Sequence, residues 1–427
     1  MRHTLLKYAF IALALVTAAS CHIEDDYQEG NRDHVMILYS AGFNSLSKDL
    51  TQNINELTKG YVPGKNSGKT LLVVAKNTVS GYRVQTSPYI IRMYRESGRV
   101  VMDTVYTYPK GTVLSSAETM RSALDYIVKN YPSDSYGMVF SSHGTGWLPA
   151  GYYNNPSIYE NGNGDRQFTS RRTGARLSSG SVPYYELEQD PSLPGVKTIG
   201  QEVTDDGDGS AEMTIADFAA AIPVKLDYLL FDACLMGGVE TAYELRNVTD
   251  KIGFSPAEIL QYGFDYYTMG EALLKGQTPD PEKVCSSYFE RYDKESGANR
   301  SATITLIDCS GIQALASVCK DLFSKYREEI ANLDYRNVQG YYRSNKKYFF
   351  DLYDILLKAG ATEPDLKSLY DVIDKCIIYK ASTPRFLNEF DIETYSGLSM
   401  YLPSAGTAFL DGNYKGLGWN SATRLVE

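Results

Sequence analysis

Two strand-like runs end in residues that can do covalent chemistry. "VFSSHGTGWLP" (139–149) breaks at His143 into Gly144, Thr145, Gly146 and Trp147; "LLFDACLMGG" (229–238) breaks at Cys234. The other three histidines of the chain (His3, His22 and His34) all fall in its first 34 positions, so His143 is the only base of its kind in the remainder. A thiolate attacking an acyl carbon needs a proton carrier for the leaving group, and an imidazole is the usual one. The glycines beside His143 leave its backbone bare, which admits a substrate and lets a main-chain N–H face a developing oxyanion. The turn after Cys234 reads as a helix start, a position that favours the thiolate. His143 and Cys234 together would make an acyl-transfer site.

Such residues need a frame that brings two strand ends together. "HVMILYSA" (34–41), "TLLVVAK" (70–76), "YGMVFSSH" (136–143) and "LDYLLFDAC" (226–234) are near-continuous apolar runs separated by amphipathic stretches. This alternation predicts an α/β fold with a largely parallel sheet buried on both faces. Ligands of open sheets of this kind bind beyond the carboxyl ends of the strands, where His143 and Cys234 stand. "YIIRMYRE" (89–96) alternates and is expected nearer an edge. Helices are expected around Leu46–Thr58 and at 115–130, the second with Ser115 and Glu118 at capping-box spacing. After Tyr266 the pattern turns mainly helical, near 280–293, 310–331, 347–358 and 364–380, with strands at 301–308 and 396–403, the second returning to a sheet. The expected organisation is a catalytic core over 34–265 and a mainly helical subdomain over 266–427. Residues 150–200, rich in Gly, Asn, Ser and Pro, have no sustained period and read as a long exposed loop, functional or mobile at that length.

Composition narrows the classes. A chain of 427 residues with 43% hydrophobic content supports a large core, and a net charge of −10 argues against nucleic-acid binding. Residues 1–20 read as a signal peptide, with Arg2 and Lys7 ahead of a short apolar run. The "AASC" that follows resembles a bacterial lipobox, with Ala18 where Leu is usual; it implies lipidation of Cys21, a tether over 21–33 and an anchor in the bacterial envelope. "HIEDD" after it resembles acidic surface-export tags, which would place the protein on the outer-membrane surface. The cysteines left, Cys234, Cys285, Cys309, Cys319 and Cys376, are odd in number and contain no CxxC pair, so no structural zinc site and no metal catalysis are expected. "TDDGDGSAEMTIADF" (204–218) invites calcium: counted from Asp206, positions 1, 3 and 12 are acidic, but Ala211 stands where the turn needs Gly. The competing reading is a surface loop entering a helix, with Thr214 and Asp217 at capping-box spacing.

"SSHGTGW" and "FDACLMGG", followed by "FSPAEILQYGFDYY", "FFDLYDILLK" and "SGLSMYLP", resemble the clostripain family of cysteine peptidases over about 34–403. The resemblance implies a caspase-like, mostly parallel sheet flanked by helices, and a cysteine endopeptidase cutting peptide substrates after Arg or Lys through a thioester, with no cofactor in the chemistry and calcium dependence an open question. It makes His143 and Cys234 the catalytic pair, with the backbone N–H groups of Gly144 and Cys234 as oxyanion donors. It makes Asp232 the carboxylate of the pocket for the residue before the cut bond (P1); strand periodicity agrees, since residues i and i+2 share a face. It also implies self-cleavage in the loop between His143 and Cys234, with Arg171, Arg172 and Arg176 as candidates and Lys197 behind them. The alternative is a catalytically silent surface lipoprotein that keeps the fold as a binding module.

Overall fold

The computed structural model describes residues 33–76, 86–160, 182–183, 190, 192–197, 202–203 and 209–427. Its centre is a nine-stranded sheet: β1 (His34–Ser40), β2 (Lys69–Ala75), β3 (Tyr89–Glu96), β4 (Arg99–Thr107), β5 (Tyr136–Ser141), β6 (Tyr228–Asp232), β7 (Lys251–Phe254), β8 (Thr303–Asp308) and β9 (Ile377–Ser382), in the spatial order β9-β8-β7-β6-β5-β1-β2-β3-β4. The inner five strands, β7, β6, β5, β1 and β2, are mutually parallel, while β3–β4 and β8–β9 add antiparallel pairs at the two edges. Every residue of β1, β5 and β6 is buried, which is why these strands read as unbroken apolar runs.

The mostly parallel sheet flanked by helices is the architecture the sequence predicts. Four details differ. The alternating strand β3 lies near the edge, as expected, but the edge itself is β4, where no strand was expected, since most of its residues face solvent and its apolar pattern is broken. The sheet runs across the boundary placed at residue 265, because β8 and β9 come from the C-terminal part. The stretch 396–403 does not enter the large sheet: Ser399–Met400 forms a two-stranded ladder with Phe350–Asp351 and bridges to Gly238. The helix expected over 364–380 ends at Cys376, where the β-branched and aromatic run "IIYKAS" becomes β9.

Helix α1 (Ser47–Lys59) follows β1, and α2 (Ala117–Asn130) precedes β5. The N-cap of α2 is Ser116, whose Oγ accepts from Thr119 N–H at 3.2 Å; Ser115 N–H instead donates to Glu202 Oε2 at 2.7 Å. Helix α3 (Ile215–Ala221) starts as the sequence predicts, with Thr214 Oγ1 accepting from Asp217 N–H at 3.1 Å. Helix α4 (Val239–Leu245) follows the turn after β6.

The described residues of the stretch 150–200 are less open than its composition suggests. Tyr152, Tyr153, Tyr159, Val196 and Lys197 are buried, and Tyr152 stacks on Phe409 at 5.4 Å between ring centroids. Aromatic rings carry enough apolar area to pin an otherwise aperiodic segment. Arg171, Arg172, Arg176, Cys21 and the acidic run 204–208 lie outside the described residues. Among the described residues no group of His, Cys, Asp and Glu side chains could hold a metal ion, and no helix is long and apolar enough to cross a membrane.

Candidate active site

Parallel pairing of β5 with β6 sets Ser141 opposite Asp232. Two residues past that rung on each strand stand His143 and Cys234, so both strands deliver their reactive residue to the same end of the sheet. Side chains at i and i+2 share a face; Ser141 and Asp232 therefore lie beneath His143 and Cys234, and Ser141 Oγ donates to Asp232 Oδ2 at 2.9 Å.

His143 is buried, and its Nε2 lies 3.2 Å from Ser45 Oγ. Its Nδ1 makes no hydrogen bond of ordinary geometry among the described residues. Burial, the largest influence, pushes the imidazole pKa down to about 3; the Lys197 backbone pulls it back up in part, and the Lys197 charge adds to the depression. In this closed arrangement the ring is a neutral base.

Cys234 is fully buried, with Sγ accepting from Ile259 N–H at 3.0 Å and lying 3.4 Å from Ile259 O. The turn that carries it is tied to the chain after β7 by Leu235 N–H to Ala257 O and Gly237 N–H to Ser255 O, both 2.9 Å. Leu235 has φ +60°, a left-handed conformation costly for a leucine and retained because both flanks are fixed. The expected turn and helix start follow the cysteine: α4 begins at Val239, so the thiol sits in the turn ahead of the helix rather than in its first turn. The other four cysteines are buried and unpaired, and burial raises their thiol pKa values, Cys309 to about 12 and Cys376 to about 11. They are packing residues, inert as thiolates near neutral pH.

The glycine after the histidine has a steric reason. A Cβ on Gly144 would stand 2.5 Å from Cys234 O, so only glycine lets the histidine turn press against the cysteine turn. Gly144 N–H points away from that contact and donates to the carbonyl oxygen of Lys197 at 3.4 Å.

Lys197 gives the site its content. Residues 195–197 lie along 259–261 as an added antiparallel strand: Val196 pairs with Leu260, Lys197 N–H donates to Ile259 O at 2.8 Å, and Gln261 N–H donates to Gly195 O at 2.8 Å. The Lys197 side chain enters the space between the strand ends and is wholly buried. Its Nζ forms an ion pair with Asp232 Oδ2 and lies 3.2 Å from Ser141 Oγ. Tyr266 OH also donates to Asp232 Oδ2, at 2.6 Å, while Asp232 Oδ1 has no hydrogen-bond partner among the described residues. Gly263, at φ +65°, closes the floor: a Cβ there would stand 2.4 Å from both Asp232 oxygens and 2.6 Å from Lys197 Nζ. A lysine carbonyl thus faces Gly144 N–H while its ammonium meets a buried carboxylate, beside His143 and Cys234.

His143, Gly144, Cys234, Asp232 and Lys197 come together in one place. Ser45, Ser141, Ile259, Gly263 and Tyr266 complete the site and are absent from the sequence reading. Ser141 alone had a signal, two positions before His143 on the same strand face.

The profile of the clostripain family, of the C11 peptidases, matches residues 38–179 and 186–403. The chain belongs to the clostripain family. As a member it is a cysteine endopeptidase. Among solved structures, an inactive zymogen of a C11 protease from Parabacteroides distasonis superposes with a TM-score of 0.70 at 24% identity, over 92% of this chain and 98% of that one. A secreted C11 cysteine protease from Bacteroides thetaiotaomicron gives 0.70 at 22% identity, covering 92% and 99%. A structure of a secreted C11 cysteine protease from the same organism in complex with an irreversible peptide inhibitor gives 0.69 at 24%, also over 92% and 99%. At these identities the likeness is one of fold, and it agrees with the mostly parallel sheet described above. A comparison with curated proteins finds no match.

Proposed function

We propose that this clostripain-family endopeptidase cleaves on the carboxyl side of Lys or Arg, and that the first bond it cuts is its own Lys197–Thr198. One observation carries the reading: Lys197 lies in the cleft with its side chain on Asp232 and its carbonyl on Gly144 N–H. Asp232 discriminates because a buried carboxylate left without a counter-charge costs several kcal/mol, so a neutral P1 residue is rejected. Its Oδ1, without a partner among the described residues, would accept from the second nitrogen of a guanidinium, which extends the pocket to Arg.

In the proposed chemistry the neutral imidazole of His143 takes the Cys234 proton, and Sγ attacks the carbonyl carbon of Lys197. Charge that develops on the carbonyl oxygen is met by Gly144 N–H. The imidazolium returns its proton to the leaving nitrogen of Thr198, and the C–N bond breaks to leave a thioester. Water, activated by the same imidazole, hydrolyses the thioester and restores the thiol. The sequence alone puts Arg171, Arg172 and Arg176 ahead of Lys197; the position of Lys197 beside Asp232 and Gly144 supports placing Lys197 first.

The test is incubation of wild type and Cys234→Ala followed by N-terminal sequencing of the fragments. A new N-terminus at Thr198 in wild type alone is the expected result. An intact wild-type chain, or equal cutting of both proteins, rejects self-cleavage; a new N-terminus after Arg171, Arg172 or Arg176 rejects Lys197 as the first site.

A further inference from the structure

Glu212 plays no part in the chemistry above, yet it touches the histidine turn twice. Its Oε1 accepts from Thr145 Oγ1, and its Oε2 accepts from Gly151 N–H at 2.7 Å. The carboxylate bridges residues six positions apart, with Trp147 and Leu148 buried between them. On its other side the same turn abuts the cysteine turn: a Cβ on Gly144 would meet Cys234 O, and one on Gly146 would stand 2.6 Å from Leu235 O. Residues 143–146 are therefore held between the cysteine turn and Glu212. A small cavity next to them is lined by His143, Gly144, Thr145, Met213 and Met236, and Glu212 is the one carboxylate on its wall among the described residues.

Glu212 is itself firmly placed. It directly follows the short strand Gly209–Ala211, which pairs with Glu202–Val203, and it precedes the Thr214 cap of α3. The partner strand is anchored by a wholly buried ion pair between Lys76 and Glu202 at 3.1 Å and by Val203 N–H to Phe43 O at 3.0 Å. Glu212 and both short strands belong to chain downstream of Lys197.

We propose that Glu212 is a positioning residue of the acyl-transfer site: by tying Thr145 and Gly151 it fixes the turn that presents His143 and the Gly144 N–H. The inference rests on the endopeptidase reading for its kinetic consequence alone. Because Glu212 and the strands that carry it lie downstream of Lys197–Thr198, cutting that bond leaves the positioning contact in place and frees only the upstream arm. A preorganised N–H donor acts by stabilising charge that exists only on the way to the tetrahedral intermediate, so loosening it lowers kcat rather than substrate affinity.

Glu212→Ala removes the bridge, while Glu212→Gln keeps the shape and an acceptor for Gly151 N–H. In the full-length Cys234→Ala background, Glu212→Ala is expected to speed amide hydrogen exchange across 144–148 at least tenfold with little change in Tm, and Glu212→Gln to restore protection. In the active chain, with rates normalised to titrated Cys234, Glu212→Ala is expected to lower kcat on a Lys-terminated fluorogenic peptide at least tenfold with KM within twofold, and Thr145→Val added to it to cost little more. Unchanged exchange in Glu212→Ala, or Glu212→Gln as impaired as Glu212→Ala, overturns the proposal. The exchange measurement decides the positioning role even if wild type cleaves no Lys peptide, an outcome that would instead reject the endopeptidase specificity.

Discussion

Replacing Lys197 by methionine keeps length and apolar stem and deletes the ammonium. Asp232, wholly buried with Lys197 seated, would then face Ser141 Oγ and Tyr266 OH without a cation. Removing one member of a buried ion pair costs roughly 3–5 kcal/mol. At about 1.4 kcal/mol per tenfold, the seated arrangement loses roughly two to three and a half decades relative to one in which residues 195–197 lift off and water reaches the carboxylate. What remains to hold the strand is its pair of backbone bonds to Ile259 and Gln261, each worth about 1 kcal/mol net, and the longer bond from Gly144 N–H to the residue 197 carbonyl at 3.4 Å. The Lys197→Met protein should therefore be uncut at 197–198 and yet have an accessible cleft. The comparison is Thr198→Pro, which keeps Lys197 but blocks the cut, since proline has no N–H and its tertiary amide resists cleavage. A Lys-directed acyloxymethyl ketone should label Cys234 in Lys197→Met about 100-fold or more faster than in Thr198→Pro, read from labelled full-length chain over time. Equal labelling rates, or cutting of Lys197→Met at the same bond, would refute the reasoning.

Two further outcomes follow from the same geometry. Gly263→Ala sets a Cβ 2.4 Å from both Asp232 oxygens, so it should abolish cutting after Lys and lower kcat/KM on Lys peptides by at least 100-fold while Tm stays within a few degrees; full activity would remove Gly263 from the pocket floor. His143, held down to about 3 mainly by burial with help from the Lys197 charge, should stay neutral across pH 5–8 in the closed Cys234→Ala chain and titrate nearer its ordinary 6.5 once Lys197→Met opens the cleft, as followed by NMR of the ring protons. The sign for stability follows: between about 3 and 6.5 the unfolded chain binds a proton that the closed chain refuses, so this group makes stability fall as pH drops below 6.5. An unshifted His143 titration in the two proteins would show that loop seating does not govern its environment.

The parallel centre of the sheet was legible because strands buried on both faces leave a signal that no surface pattern disturbs. "HVMILYS", "TLLVVA", "YGMVFS" and "YLLFD" each coincide with a strand of the structure. Legibility failed at β7, a parallel strand of only four residues, Lys251–Phe254, and at the edges. In β4, "RVVMDTVYT", solvent rather than the core decides most side chains, so nothing in its pattern marks a buried face. In β9, "IIYKAS" follows a 14-residue helix without a Gly or Pro to mark the change, and the helical period was carried past Cys376 into the strand.

The site divides along a different line. His143 and Cys234 could be read because their environment is local: an apolar strand, a reactive residue, then glycine. Asp232 could be placed by a period of two along the same strand. Lys197, Gly263, Tyr266 and Glu212 are defined by partners 35, 31, 34 and 67 positions away, in the order Asp232 for the first three and Thr145 for the last. No periodicity encodes such pairs. Lys197 ranked behind three arginines because, in an aperiodic loop, charge alone distinguishes a candidate, and Arg and Lys count alike. What singles it out is the "GV" before it: Gly195 and Val196 give an extended lead that pairs with Leu260 and drops the next side chain onto Asp232. A β-branched residue ahead of a buried lysine is a strand signal as well as a charge, and on that criterion none of Arg171, Arg172 and Arg176, preceded by Ser170, Arg171 and Ala175, competes with it.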